Sequence, residues 1–247
     1  MVDWIEGKVI ENRRWNDGLH SLRVEVELPP FRAGQFTRLA LTIGSERIAR
    51  PYSLVNAPHE PIAEFYFNRV PEGPLSNRIA ALAPGDRVDI ASPATGLFTL
   101  DEVTGGRHLW MLATGTGLGP FLSILKTEQP WTRFERLVLV HGAREASDLG
   151  YREQAQALAQ AYPGRFHYVA ALTRESPPWA LYGRIPALID SGLLEQAVEL
   201  EIKPEDSQVM MCGNLGMIQD TTASLLARGL EKSQRRKPGQ ITTEKYW

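Results

Sequence analysis

The hydrophobic pattern of this 247-residue chain changes near residue 100, and the change restricts the folds that the chain can adopt. The earlier part contains segments that alternate apolar and polar residues with the period of half-buried strands: 22–28, 35–41, 64–70 and 86–90. Short strands at this spacing predict a closed antiparallel β-barrel.

Beyond this point, compact apolar segments alternate with helical segments. The predicted strands are 108–113, 137–140, 166–172 and 208–211, and the predicted helices are 121–126, 150–162 and 215–230. This alternation predicts a parallel sheet covered by helices on both faces. We therefore predict two domains, a β-barrel domain at 1–100 and an α/β domain at 101–247, with the boundary in the turn-rich segment 92–106.

Composition excludes several classes of protein. The chain is 43% hydrophobic and 23% charged with a net charge of −2, which is typical of a globular protein and not of a nucleic-acid binder. The acidic start is unlike a signal peptide, and no apolar run approaches the ~18 residues of a membrane span, so we expect a cytoplasmic protein. Cys212 is the only cysteine, which excludes a disulfide within the chain and a four-cysteine iron–sulfur cluster. The five histidines show no metal-ligand spacing, and no metal is expected.

The segment Arg50-Pro51-Tyr52-Ser53 combines the groups that a flavin requires. Arginine suits phosphate, tyrosine can stack on an isoalloxazine ring, and a serine hydroxyl can bond to the flavin N5. The alternative is an ordinary strand end with an exposed arginine and a packed tyrosine.

The segment 70–77 forms a turn that leads into a short predicted helix at 76–82. Helix N-termini present free N–H groups to anions, and Ser76 is placed to cap this helix. The functional interpretation is a pyrophosphate site, and the alternative is an ordinary capped helix.

A glycine turn, Thr114-Gly115-Thr116-Gly117-Leu118-Gly119-Pro120, follows a predicted strand and precedes a helix. Pro120 replaces the third glycine of the dinucleotide fingerprint, and no acidic residue follows where NAD ribose would be bound. The turn therefore predicts only that a nucleotide can approach the backbone closely.

Four polar residues follow strands or turns of the second predicted domain, where ligands bind in open α/β folds: Arg144, Thr173, Arg174 and Arg184. Together the arginines would bind a 2′-phosphate and so select NADP over NAD. The alternative is solvated surface arginine.

Two further segments suit planar ligands. Cys212, followed by Gly213 and Asn214, would face a nicotinamide, or else be a small packed hydrophobe. The aromatic end, Tyr246-Trp247, would stack on a planar ligand, or Trp247 would pack on the barrel.

Taken together, these motifs resemble the ferredoxin–NADP reductase family, and most closely its bacterial members that end in Tyr-Trp. The resemblance covers essentially the whole chain and implies an antiparallel barrel that binds FAD, an α/β domain that binds NADP(H), and a tail that returns to the FAD. It implies these FAD contacts: Arg50, Pro51, Tyr52, Ser53, Tyr66, Pro74, Leu75, Ser76, Thr116, Tyr246 and Trp247. It implies these NADP contacts: Gly117, Ala143, Arg144, Thr173, Arg174, Arg184, Cys212, Gly213, Asn214 and Asp220.

The resemblance also implies a reaction, in which NADPH passes hydride from nicotinamide C4 to FAD N5, and single electrons then pass to ferredoxin or flavodoxin. Ser53, Tyr52, Cys212 and Glu244 are the residues expected to serve it. Plastid members end in a tyrosine that covers the flavin, with a glutamate two residues earlier, whereas here Trp247 follows Tyr246. We expect a monomer. The alternatives are a sister reductase that uses FMN or NADH, and a non-enzymatic nucleotide-binding redox sensor.

Overall fold

The computed structural model describes residues 2–234 and 237–246, with the backbone alone at Tyr246. The chain divides into two compact units. One holds 2–99 together with Gly119–Thr127, and the other holds the rest of the described chain.

The first unit is built on an antiparallel sheet of six strands in the order β4-β3-β6-β1-β2-β5. The strands are β1 Asp3–Arg14, β2 Leu19–Glu25, β3 Phe36–Ile43, β4 Glu46–Ser53, β5 Ile62–Asn68 and β6 Arg87–Ser92. The sheet curls until its edges meet, because Leu54 forms a bridge with Phe65 and the Val55 N–H donates to the Glu64 carbonyl at 2.8 Å. This curled sheet confirms the predicted antiparallel barrel.

The longest strand of this sheet, β1, was not predicted. Within its twelve residues only Gly7 and Val9 are buried, so the sequence lacks the apolar alternation of a half-buried strand. The interior is filled instead by fully buried side chains from several strands, including Leu22, Leu39 and Phe65. Burying such side chains contributes about 1.5–3 kcal/mol each.

The second unit is built on a parallel sheet of six strands in the order β10-β9-β8-β7-β11-β12, which confirms the predicted α/β class. The strands are β7 His108–Thr114, β8 Arg136–Ala143, β9 Phe166–Leu172, β10 Leu181–Tyr182, β11 Ser207–Asn214 and β12 Ile241–Tyr246. The seven α-helices of the described chain are α1 Ser76–Ala80, α2 Gly119–Leu125, α3 Gln129–Arg133, α4 Arg152–Ala161, α5 Ile185–Asp190, α6 Leu193–Val198 and α7 Leu215–Ala227. The short helices α3, α5 and α6 were not predicted.

Helices cover both faces of this sheet. Helices α5, α6 and α7 bury Ile189, Leu194 and Leu225 against Val140 and Met211 of the strands. Ala170 and Leu172 of β9 face the other way and pack near Leu149, which precedes α4. None of the helices in the described part of the chain has both the length and the apolar character needed to cross a bilayer.

The C-terminal tail forms β12, an edge strand that runs parallel to β11 and was not predicted as a strand. The register pairs Cys212 with Glu244 and Asn214 with Tyr246. Among the described side chains of its sequence, ITTEKY, only Ile241 is apolar and reaches the core, and for this reason the hydrophobic periodicity does not reveal the strand.

Helix α2 follows the second unit's glycine turn but packs into the first unit, and all its residues are buried. Ser123 donates its hydroxyl to the Asn56 carbonyl at 2.7 Å, and Lys126 lies 3.1 Å from a carboxylate oxygen of Glu60. The predicted domain boundary near residue 100 stays a prediction. The first unit includes the chain up to Thr99 and is completed by Gly119–Thr127, the segment that contains this helix.

Candidate cofactor and nucleotide sites

The first candidate site lies at the end of β4 in the first unit. Arg50 and Tyr52 are two residues apart on the strand and therefore project from the same face. Tyr52 is partly buried and meets Phe67 of β5 in a T-shaped contact, with ring centroids 5.9 Å apart. Burial raises the pKa of the Tyr52 hydroxyl to about 12, although Arg50 opposes the shift, so the phenol stays protonated at neutral pH.

Arg50 is exposed, and one of its guanidinium nitrogens, Nη1, donates to the Ala49 carbonyl at 2.8 Å. Within residues 2–234 and 237–246, no carboxylate lies within ion-pair distance of it. Ser53 is buried, with 6% of its surface exposed, at the last position of the strand. An uncompensated cation, a protonated phenol and a hydroxyl at one strand end fit the phosphate and ring of a flavin nucleotide.

The second part of this site is the turn between β5 and α1, with Pro74 and Leu75, together with Ser76, the first residue of α1. Leu75 is buried in the same core that Tyr52 packs against. The prediction that Ser76 caps α1 was wrong, because the N-cap is Leu75 and makes no side-chain cap bond. The Ser76 hydroxyl instead accepts the Val70 N–H at 3.0 Å, so it stabilises the turn and not the helix end. Tyr66, the other predicted FAD contact on β5, is 4% exposed and meets Trp15 edge-on.

The second candidate site lies where the strand order of the parallel sheet reverses, between β7 and β11. Ligands of open α/β sheets bind at such a switch point. The turn Gly115–Leu118 leaves β7 here and packs over the end of β11. A Cβ added to Gly117 would lie 2.3 Å from the Cys212 carbonyl oxygen, so only glycine permits this approach.

Gly213 completes the same packing from β11. Its φ of +146° lies in a region that glycine favours, and an added Cβ would lie 2.0 Å from the Thr114 hydroxyl oxygen. That hydroxyl accepts the Asn214 N–H at 3.0 Å, and the Asn214 side chain caps α7 by accepting the Met217 N–H at 2.7 Å. The predicted residues Thr116, Gly117, Gly213 and Asn214 are therefore brought together in one unit.

The side chain of Cys212 is completely buried in β11, and β12 places Glu244 directly beside it in register. The sequence alone gave no reason to bring these two residues together. Trp247 and the side chain of Tyr246 lie outside the described residues, so their predicted stacking stays a prediction.

The predicted arginines lie along the carboxyl edge of three neighbouring strands. Arg144 follows β8, Arg174 follows β9 and Arg184 follows β10. The edge is held together by backbone bonds, because the Arg174 N–H donates to the Arg144 carbonyl at 2.9 Å and the Thr173 N–H donates to the Ala143 carbonyl at 3.2 Å.

All three guanidinium groups are exposed. Arg174 lies 3.7 Å from a carboxylate oxygen of Glu145, whereas Arg144 and Arg184 have no carboxylate at ion-pair distance in the described chain. An excess of cations along one edge fits the phosphates of a nucleotide. Asp220 is exposed on α7, two turns beyond the Asn214 cap.

His141, near the end of β8, is a buried residue of this site that the sequence did not indicate. It has no exposed surface, and its Nε2 lies 3.1 Å from the Gly115 carbonyl oxygen, so in the tautomer protonated at Nε2 it holds the glycine turn. The contact joins residues 26 positions apart and has no local sequence signal. Burial lowers the pKa of His141 to about 4, and the bond to Gly115 opposes the shift only in part.

Acid should therefore destabilise the protein through His141. In the unfolded chain this histidine takes up a proton near pH 6.5, but in the folded protein it does so only near pH 4. Between these values the unfolded state binds more protons, and stability falls as the pH falls. From about pH 7.5 to about pH 4 we expect His141 alone to remove about 3 kcal/mol.

Urea unfolding of the protein and of His141→Gln at both pH values measures this contribution. Burial also lowers the pKa values of His20 and His167, so the wild-type protein loses more stability at low pH than His141 alone explains. The difference in lost stability between the wild type and His141→Gln gives the contribution of His141. Equal losses in the two proteins would contradict the assignment.

Comparison with known proteins agrees with this arrangement. The oxidoreductase NAD-binding domain family matches residues 111–223. A flavodoxin/ferredoxin–NADP reductase of Shigella flexneri is 50% identical over 248 aligned residues, covering 100% of both chains. The enzyme of the same name from Escherichia coli strain K12 is 49% identical, again over 100% of both chains. A ferredoxin NADP+ reductase from Neisseria gonorrhoeae, solved with bound FAD and NADP, has a TM-score of 0.93 and 32% identity over 98% of each chain.

The parallel unit, with its glycine turn at the switch point, matches the oxidoreductase NAD-binding domain, and together with the curled antiparallel unit this places the chain among the oxidoreductases. The similarity to the enzymes of Shigella flexneri and Escherichia coli extends over their full lengths. The chain belongs to the flavodoxin/ferredoxin–NADP reductase family, which confirms the resemblance inferred from its motifs.

Proposed function

We propose that this protein is an FAD-containing enzyme that exchanges electrons between NADPH and ferredoxin or flavodoxin. The observation that carries the proposal is the full-length similarity to flavodoxin/ferredoxin–NADP reductases. It is supported by the similarity to a ferredoxin NADP+ reductase that was solved with FAD and NADP bound. The groups described above fit both ligands. The alternatives of an FMN- or NADH-dependent sister enzyme and of a non-enzymatic redox sensor receive no such support.

The first unit binds FAD. Arg50 would pair with its phosphates, Tyr52 would lie against the isoalloxazine ring, and the Ser53 hydroxyl would donate a hydrogen bond to N5. The residues Pro74, Leu75 and Ser76 would hold the pyrophosphate, with Tyr66 nearby. The predicted stacking of Trp247 on the adenine concerns a residue outside the described part of the chain. When bound, FAD supplies the chemistry of the enzyme, because it accepts electrons in pairs and releases them singly.

The second unit binds NADPH. In the glycine turn, Gly117 would contact the nucleotide and Thr116 would lie where the flavin meets the nicotinamide. The phosphates and adenosine would be held by Ala143, Arg144, Thr173, Arg174 and Arg184, and Asp220 would contact the same nucleotide. Cys212 would pack beside the nicotinamide and help set the distance for hydride transfer, while Gly213 and Asn214 would shape the adjoining turn. Glu244, the register partner of Cys212 in the sheet, would exchange a proton as electrons leave the flavin. Orientation of this kind lowers a barrier by several kcal/mol.

The electron acceptor is a separate protein, because a chain with one cysteine cannot ligate a four-cysteine cluster. Ferredoxins and flavodoxins are acidic, so basic residues of this enzyme should steer them, and the rate of exchange should fall as salt is added. We expect the enzyme to work as a monomer in the cytoplasm, without a membrane or nucleic acid.

Anaerobic stopped-flow mixing tests this function. The purified protein should carry yellow FAD that NADPH bleaches, and ferredoxin or flavodoxin added afterwards should restore the colour. Protein that is colourless and stays so after FAD is added would contradict the proposal and favour a redox sensor.

The choice of NADPH over NADH should depend on Arg174 and Arg184. A charge-assisted bond to a phosphate contributes about 1.5–3 kcal/mol, so Arg174→Ala and Arg184→Ala should each lower the NADPH/NADH ratio of kcat/KM by about tenfold or more. Arg107→Ala is the control. Arg107 is exposed in the same unit but lies just before β7, at the opposite edge of the sheet, where it pairs with Glu135 at 2.7 Å. A ratio unchanged in both edge variants would contradict the assignment of the arginines.

A further inference from the structure

Asn77, which has no role in the function proposed above, helps to stabilise the turn between β5 and α1. The turn is tight, because the Gly73 N–H donates to the Val70 carbonyl at 2.9 Å. A Cβ added to Gly73 would lie 2.8 Å from the Ser76 hydroxyl oxygen and 2.9 Å from the Val70 Cβ. The position of the backbone at 74–76 therefore depends on what stabilises this turn.

The Asn77 amide nitrogen lies within hydrogen-bond distance of three carbonyl oxygens of the turn: 2.8 Å from Val70, 3.1 Å from Pro71 and 2.8 Å from Gly73. An amide group has two N–H donors, so two bonds are shared among the three acceptors. The amide oxygen accepts a hydrogen bond from Arg69 Nε at 3.2 Å. One side chain thus ties together the whole turn and the arginine that precedes it.

Arg69 is fixed a second time, because its Nη1 donates to the Asp17 carbonyl at 3.2 Å. Neither bond neutralises the guanidinium group, since both acceptors are uncharged. Asn77 therefore fixes both the shape of the turn and the place of a positive charge beside it.

We propose that Asn77 is a positioning residue for FAD, which holds the turn so that Pro74, Leu75 and Ser76 meet the pyrophosphate. This inference rests on the function proposed above, in which FAD occupies the first unit. Asn77 need not touch the ligand, because its bonds act on the backbone of the turn. Loss of those bonds should release the turn and weaken FAD binding more than it weakens the fold.

The chain contains a matched control at the other end of the same helix. Asn12 on β1 also directs its amide nitrogen at three carbonyl oxygens, those of Ile79 at 2.9 Å, Ala80 at 3.3 Å and Leu82 at 2.8 Å. Asn12→Ala therefore removes the same chemistry from the end of α1 that does not face the turn. A purely structural role for Asn77 would make the two substitutions equivalent.

The experiment compares FAD affinity with stability in the full-length holoprotein. Serial dilution of wild type, Asn77→Ala, Asn77→Asp and Asn12→Ala, followed by the fluorescence of released FAD, gives each Kd. Urea unfolding at saturating FAD gives the matching stability. Asn77→Asp is included because it keeps the acceptor for Arg69 and the size of the side chain but loses the amide N–H donors.

We expect Asn77→Ala and Asn77→Asp to raise the Kd for FAD at least tenfold, and Asn12→Ala to change it less than twofold at a similar loss of stability. Equal changes in Kd for Asn77→Ala and Asn12→Ala, or an unchanged Kd in both Asn77 variants, would overturn the proposal. Wild-type protein that binds no FAD would instead overturn the proposed function, so the two failures are distinguishable.

Discussion

Ser53→Ala should slow the reduction of FAD by NADPH about a hundredfold while FAD stays bound. A hydrogen-bond donor fixed at the atom where charge develops contributes about 2.7–4 kcal/mol to a transition state. Ser53 is buried at the last residue of β4, and its Cβ would lie 4.0 Å from a Cβ added to Gly119 of α2. This enclosed position restricts the hydroxyl and reduces competition from water.

Stopped-flow absorbance of the bound flavin measures that rate directly. Ser123→Ala is a suitable control, because Ser123 is a buried serine of the same unit whose hydroxyl bonds only to the Asn56 carbonyl among the described contacts. It should lower stability by about 1 kcal/mol and leave the rate of reduction unchanged. A Ser53→Ala rate within twofold of wild type would show that the hydroxyl does not serve N5.

Gly213→Ala should destabilise the second unit by about 3 kcal/mol or more and raise the KM for NADPH at least tenfold. Two costs add at this position, since a φ of +146° strains any L side chain by about 1–3 kcal/mol and a Cβ would lie 3.0 Å from the Thr114 backbone nitrogen. Relief requires β11 to move away from Thr114, which breaks the Asn214 N–H bond and displaces the glycine turn.

Gly229→Ala is the control that separates the strain of a positive φ from the steric clash of the added Cβ. Gly229 belongs to the same unit and has a φ of +87°, but an added Cβ would meet only Pro204, at an ordinary 3.5 Å. That variant should lose about 1 kcal/mol and keep the KM of the wild type. Urea unfolding and steady-state kinetics of the pair provide the comparison, and equal behaviour of the two variants would contradict the packing argument.

Local patterns predicted the features that depend on neighbours in sequence. Alternation identified β2, β3, β5 and β6, and the order of strands and turns placed Arg144, Arg174 and Arg184 at one edge of a sheet. Parallel strands share a carboxyl edge, so chain order is enough for that inference.

Features set by distant contacts could not be predicted in this way. The Cys212–Glu244 register requires β12 to be recognised as a strand, and the sequence ITTEKY carries too little apolar alternation to show it. His141 and Asn77 act through backbone carbonyls, which every residue type possesses, so the sequence of the acceptor gives no signal. The prediction that Ser76 caps α1 was wrong for a related reason, because its hydroxyl accepts the backbone N–H of Val70 in the turn.

Helix α2 has a practical consequence for dissecting or grafting reductases of this kind. A fragment that stops near residue 100 would lose Gly119–Thr127, and with it the partners of Asn56 and Glu60 inside the first unit. A chimaera that exchanges only the second unit must keep Gly119–Thr127 from the protein that supplies the first unit. The exchanged sequence is then joined at both ends of this segment. In evolutionary terms, the two units cannot be recombined by a single crossover.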